Sequence, residues 1–152
     1  MFSESIRIGE YGEHAIWNLL NKQMWVRSVV DVRADRGFQS QDIDFLVENL
    51  QRQFISVEVK TDVKAQETGN IVYELSTSGN VGCFEKTQAK VIIYFVPKSQ
   101  QAFLMETEVL RDYVNKSNPR KVNMGDNATG YLLPISELQK QGVIKQVYEE
   151  VK

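Results

Sequence analysis

The chain has 152 residues, 42% hydrophobic and 25% charged, the length and balance of one compact globular domain, which excludes a disordered or collagen-like chain. Its longest apolar run, residues 91–96, is far below the roughly 18–20 residues needed to cross a bilayer, and its start lacks the positive-then-apolar order of a secretory signal, so a cytoplasmic protein without membrane contact is expected. A net charge of -2 gives no global field for nucleic acid, and one cysteine, Cys83, with one histidine, His14, excludes an internal disulfide and a four-ligand Cys/His zinc site.

From Ile8 the residues Ile8, Tyr11, Ala15, Ile16, Leu19 and Leu20 recur at helical spacing, and the pattern fades at 21–23. This predicts a first helix opened by Gly9 and Gly12. Residues 24–32, rich in valine, read as a strand, and the polar stretch 33–41 around Gly37 as a loop. Two alternating runs follow, 42–48 and 53–60, separated by Asn49, Leu50, Gln51 and Arg52, a composition that suits a hairpin turn. A third run, 71–76, is expected to extend the same sheet. After a break at 79–82, residues 84–90 read as a short helix and 91–96, ended by Pro97, as a buried central strand. Residues 102–105 are its expected neighbour. Thr107 is placed to cap a helix through Asn115 that carries Val109, Leu110, Tyr113 and Val114 on one side. Residues 116–129 hold Pro119, Gly125 and several asparagines and read as a mobile loop. Residues 131–134 are expected to form a last strand, and 137–141 a helix capped by Ser136 and ended by Gly142. This order predicts a single α/β domain over residues 1–152, with one mixed central sheet flanked by helices.

Chemistry concentrates in the hairpin. Side chains alternate across a strand, so Phe54, Ser56, Glu58 and Lys60 share one face while Ile55, Val57 and Val59 take the other. In the preceding run Asp42, Asp44 and Leu46 oppose Ile43, Phe45 and Val47. With the turn centred on Gln51, Asp44 lies seven residues before it and Glu58 seven after, which sets the two carboxylates opposite each other at about 5 Å. Such a pair repels unless positive charge intervenes, and a divalent cation is the usual solution. The same residues are also compatible with a solvated polar face carrying a surface ion pair. The apolar content of both strands favours a central, buried hairpin.

Gly12-Glu13 in a first helix, then Asp42-Ile43-Asp44-Phe45-Leu46-Val47, then Ile55-Ser56-Val57-Glu58-Val59-Lys60-Thr61, resembles the PD-(D/E)XK nuclease superfamily, in particular its small Holliday-junction-resolvase-like and restriction-endonuclease-like members. The resemblance covers about residues 8–62. It implies a restriction-endonuclease-like core and hydrolysis of phosphodiester bonds. It further implies Mg2+ or Mn2+ held by Asp44, Glu58 and the Val59 carbonyl, with Lys60 orienting or helping to deprotonate the attacking water. Glu13 would reach the metal directly or through water. Asp42 and Asp44 share a face, and the register with Glu58 favours Asp44 as the ligand.

DNA is the expected substrate, cut with structure selectivity or low sequence specificity, and a homodimer is compatible with this reading. The rival is a catalytically inactive module of the same fold that binds nucleic acid or a protein partner. Candidate phosphate contacts are Arg33 and Arg36 before the Asp44 strand, Lys64 after the Lys60 strand, and Lys86 and Lys90 on the later helix. The segment 111–121 is a further candidate, with Arg111, Lys116, Arg120 and Lys121 against Asp112. Glu74 and Ser76, on one face of the next strand, are candidates to line the same cleft without belonging to any motif. Trp17 and Trp25 read as packing residues, His14 as a surface or packing histidine, and Cys83 as a small buried residue.

Overall fold

The computed structural model describes residues 2–125 and 127–152. Helix α1 (Phe2–Asn21) leads into the antiparallel strands β1 (Val26–Asp31), β2 (Phe45–Asn49) and β3 (Phe54–Thr61), with one helical turn, α2 (Arg36–Gln39), before β2. A long excursion through α3 (Ala65–Thr68), β4 (Asn70–Thr77), β5 (Asn80–Val81) and α4 (Cys83–Lys86) precedes β6 (Val91–Val96) and β7 (Gln101–Glu106). The chain closes with α5 (Thr107–Ser117), β8 (Val122–Gly125), β9 (Ala128–Pro134), α6 (Ile135–Lys140) and β10 (Ile144–Tyr148).

The central sheet has the order β1-β2-β3-β6-β7-β10. Strand β6 runs parallel to β3, with Glu58 beside Ile92 and Lys60 beside Tyr94, while the other pairs are antiparallel. All six residues of β6 are buried, as an apolar strand covered on both faces must be. On one face Val57, Val59, Ile93 and Phe95 pack against Ala15, Ile16 and Leu20 of α1. On the other, Ile92, Tyr94 and Met105 pack with Leu110 and Val114 of α5 and with the inner residues Ile71, Tyr73 and Leu133 of a second sheet. This is a mixed α/β sheet flanked by helices. Among the described residues no helix is long and apolar enough to cross a membrane.

Several expected elements fall elsewhere. Helix α1 starts well before Ile8, with Gly9 and Gly12 inside it. Residues 3–7 of it are exposed and so carry no apolar periodicity to read, although Glu4 suits the helix N-terminus. Residues 71–76 do not extend the central sheet: β4 belongs to the second sheet, ordered β5-β4-β9-β8. The free edge of β3 is taken by β6, whose wholly buried, almost entirely apolar sequence needs a central position, whereas alternating β4 fits a half-exposed one. The predicted loop 116–129 instead holds the end of α5, all of β8 and the start of β9; its Asp126 lies outside the described residues. Strand β9 is not the last, since β10 follows it. The predicted helix 84–90 is only the turn α4.

Two expected caps do different work. Thr107 is buried and its hydroxyl donates to the Ala89 carbonyl (2.7 Å), tying the start of α5 to the approach to β6. Pro134, not Ser136, occupies the position before α6.

Candidate active site

The hairpin turn forms as its composition suggests. Asn49 accepts from the backbone N–H groups of Gln51 (3.0 Å) and Gln53 (2.9 Å) through its side chain, and Arg52 takes the left-handed conformation at φ 63°. The resulting register pairs Phe45 with Val57 and Leu46 with Ser56, and continued by one step it sets Asp44 opposite Glu58. Asp44 itself lies just ahead of β2. Asp42 has φ 54°, so simple alternation fails there, and Ile43 packs with Val32, Ala89 and Leu46 rather than with Phe45 and Val47.

Asp44 Oδ2 accepts from the Val59 backbone N–H (2.8 Å), and Glu58 stands beside its carboxylate. Asp42 turns away: its carboxylate faces Lys86 Nζ at 3.7 Å, and its carbonyl accepts from the Thr87 hydroxyl (2.9 Å). Burial pushes the Asp44 pKa up to about 6, against the Val59 hydrogen bond that lowers it. Burial, then the charges of Asp44 and Asp42, push Glu58 up to about 9. The two carboxylates therefore share a proton at neutral pH, because burial and their mutual repulsion disfavour two charges there.

Lys60 opens onto the same cleft. Burial works against its charge, but Cys83, Glu74 and Glu58 around it prevail and hold its pKa above the ordinary lysine value. The charged form is thus favoured, as suits orienting water and balancing phosphate charge. The cleft, about 620 Å³, lies between the first half of α1, the end of β3 and β4, and includes Glu13, Glu58, Lys60, Lys64 and Glu74 in its walls.

Helix α1 reaches the cleft by close contact. A Cβ on Gly12 would lie 1.7 Å from Thr61 Oγ1, so glycine is what lets the helix sit against β3 with Glu13 beside the carboxylate pair. Glu13 Oε2 accepts from Arg33 Nη1 (3.0 Å). Its charge raises both Asp44 and Glu58.

The candidate phosphate contacts separate. Arg33 is turned inward: it makes two side-chain hydrogen bonds to Asp31 (2.9 and 2.7 Å), holds Glu13 and lies 5.4 Å above the Phe45 ring. It buttresses the acidic cluster. Lys86 is paired with Asp42. Arg111 donates to the carbonyls of Phe84 (3.0 Å) and Thr87 (2.7 Å), fastening α4 to α5, and Lys116 pairs with Asp112 (2.9 Å). Arg36, Lys64 and Lys90 are exposed, and Lys64 stands at the cleft.

Glu74 lines the cleft, whereas the Ser76 hydroxyl bonds to that of Thr129 (2.8 Å). Two cleft residues escaped the sequence reading, Asp62 and Tyr94. The Tyr94 hydroxyl donates to Asp62 and accepts from the Val72 N–H (3.1 Å), linking the two sheets. A tyrosine in an otherwise apolar strand was the available signal, since a buried phenol needs a partner.

The donor set suits a hard divalent cation: carboxylate oxygens of Asp44 and Glu58, with the Val59 carbonyl next to Glu58 in the chain. Among the described residues no group of three or more His, Cys, Asp and Glu side chains is arranged to hold a metal. A two-carboxylate site is what magnesium commonly uses, its remaining positions going to water and phosphate.

No family model matches the sequence, and no curated protein matches it. Among solved structures the fold is similar to that of a bacterial homing endonuclease, I-Ssp6803I, with a TM-score of 0.51 and 18% sequence identity over 70% of this chain and 67% of the other. At that identity the likeness is one of fold.

Proposed function

We propose that the chain is a metal-dependent nuclease of the PD-(D/E)XK type that hydrolyses phosphodiester bonds in DNA, as an endonuclease of low sequence specificity or one selective for substrate structure. The observation that carries this reading is the half-buried Asp44 and Glu58 pair, with Glu58 pushed up to about 9, beside a charged Lys60 in an open cleft. Perturbed carboxylates in a cleft mark sites that bind a cation or move protons. The endonuclease named among structures of similar fold adds to this support.

In this reading Asp44, Glu58 and the Val59 carbonyl hold Mg2+ or Mn2+. The bound ion lowers the pKa of its water and offsets charge at phosphorus. Lys60 faces the scissile phosphate and orients the attacking water. Glu13, held by Arg33, adds negative charge that strengthens the site's preference for a cation. Lys64 and the exposed Arg36 contact the phosphate backbone, which positions the substrate without reading sequence.

The test is cleavage of labelled linear, branched, single-stranded and RNA substrates by purified protein with magnesium, with manganese and with chelator. Cation-dependent scission of DNA is expected. Binding without cleavage under any of these conditions would favour the rival, an inactive module of the same fold.

A further inference from the structure

Lys60 meets, across the cleft, a carboxylate from outside the hairpin. Glu74 comes from β4 of the second sheet, and its Oε2 lies 3.9 Å from Lys60 Nζ, with the two side chains 30% and 31% exposed. That separation is too long for a hydrogen bond but close for two opposite charges. It can steer the ammonium without itself occupying one of its donors.

The mount of Glu74 is rigid on both sides. Gly130, its partner on β9, sits so close that a Cβ there would be 2.3 Å from the Tyr73 carbonyl and 3.1 Å from Glu74 Cα. On the other side a Cβ on Gly82 would lie 2.2 Å from the Glu74 carbonyl, and the Gly82 N–H donates to the Leu75 carbonyl (2.8 Å). Two glycines thus let neighbouring backbone close on the residue that carries this carboxylate. Cys83, next in the chain, also lies close enough to Lys60 to act on its charge, so the ammonium is flanked from two elements of the excursion between β3 and β6.

From this geometry we infer that Glu74 is a positioning residue: it holds the Lys60 ammonium against the β4 wall, aimed at a phosphate entering between α1 and β4. This rests on the nuclease reading above. A side chain fixed by its surroundings aims more accurately than a free lysine, and small misplacements of such a group are costly in rate. A carboxylate beside a phosphate site also weakens ground-state binding of the substrate, so its retention there trades affinity for orientation.

The experiment is a double-mutant cycle of Glu74→Gln with Lys60→Ala, read as kcat and KM on a labelled DNA duplex with magnesium, together with the Lys60 side-chain 15N resonance in metal-free protein. Glu74→Gln should lower kcat about tenfold or more while KM stays constant or falls, because negative charge leaves the cleft. In the Lys60→Ala background it should add nothing, and Glu74→Asp should restore part of the loss. The Lys60 resonance should shift in Glu74→Gln. Equal effects of Glu74→Gln in both backgrounds, an unchanged kcat, or an unmoved resonance would each overturn the inference. If Glu74→Gln fails to fold, Glu74→Asp is measured in the same cycle and must couple to Lys60→Ala. A wild-type protein that cuts no nucleic acid defeats the nuclease reading instead, and the resonance then decides alone whether Glu74 positions Lys60.

Discussion

Replacing Glu58 by glutamine should stabilise the metal-free protein at alkaline pH and flatten the dependence of its stability on pH. The folded-state pKa of Glu58 is about 9 against an ordinary value of 4.5. Between those values the folded chain holds a proton that the unfolded chain has lost, so wild-type stability is highest at acidic pH and falls as pH rises towards 9. Each pH unit in that window costs about 1.4 kcal/mol. Between about pH 5 and pH 8, after allowance for water reaching a half-buried site, the loss is on the order of 2 to 4 kcal/mol. Asp44, raised to about 6, adds to the slope only at the acidic end. Glutamine keeps the shape of the side chain and has no proton to lose. Urea unfolding with chelator across this range should therefore show wild type losing stability with pH and Glu58→Gln losing much less. Magnesium should restore wild type by about 2.7 kcal/mol at a hundredfold excess over Kd and leave the variant unchanged. Parallel pH slopes, or a variant less stable than wild type near pH 8, would refute the assignment of a repelling, cation-seeking pair.

Lys60→Ala is expected to leave calorimetric binding of manganese nearly intact while lowering cleavage by about 10²-fold or more; loss of metal binding would show that Lys60 supports the site's structure instead. Gly12→Ala drives a Cβ to 1.7 Å from Thr61 Oγ1 and should cost on the order of 1 to 3 kcal/mol in thermal unfolding. Thr61→Ala should recover part of that loss, and additive effects would refute the proposed contact. Replacing Arg36 and Lys64 together by alanine should weaken duplex binding across sequences and reduce its salt slope by about 2, whereas an unchanged slope would make both ordinary surface. Arg33→Ala should destabilise the fold by releasing Glu13 and Asp31, with little direct change in salt slope; a slope change as large as that of Arg36 and Lys64 would return Arg33 to the phosphate contacts.

The hairpin was legible because everything that defines it is local. Asn49 to Gln53 close a short turn, and once the turn is placed the two-residue period of a strand carries Asp44 to Glu58 and puts Glu58 and Lys60 on one face without any knowledge of the rest of the chain. The central position of β6 was legible for a similar reason: six consecutive buried residues have only one kind of place to go. The alternation rule stopped working at Asp42, a left-handed residue, and Ile43 after it packs with Val32, Ala89 and Leu46 instead of with Phe45 and Val47. The fate of β4 and β8 was not legible, since an alternating strand fits either sheet equally well, and what excluded β4 from the central one was competition from a more apolar strand later in the chain. Nor could spacing show that Arg33 turns inward to Glu13 and Asp31, or that Glu74 comes within 3.9 Å of Lys60. Charges distant in sequence pair according to which surfaces pack. Packing minimises exposed apolar area over the whole molecule, so the partners of Arg33, Lys60 and Tyr94 were decided only when α1 and the second sheet closed on the central one.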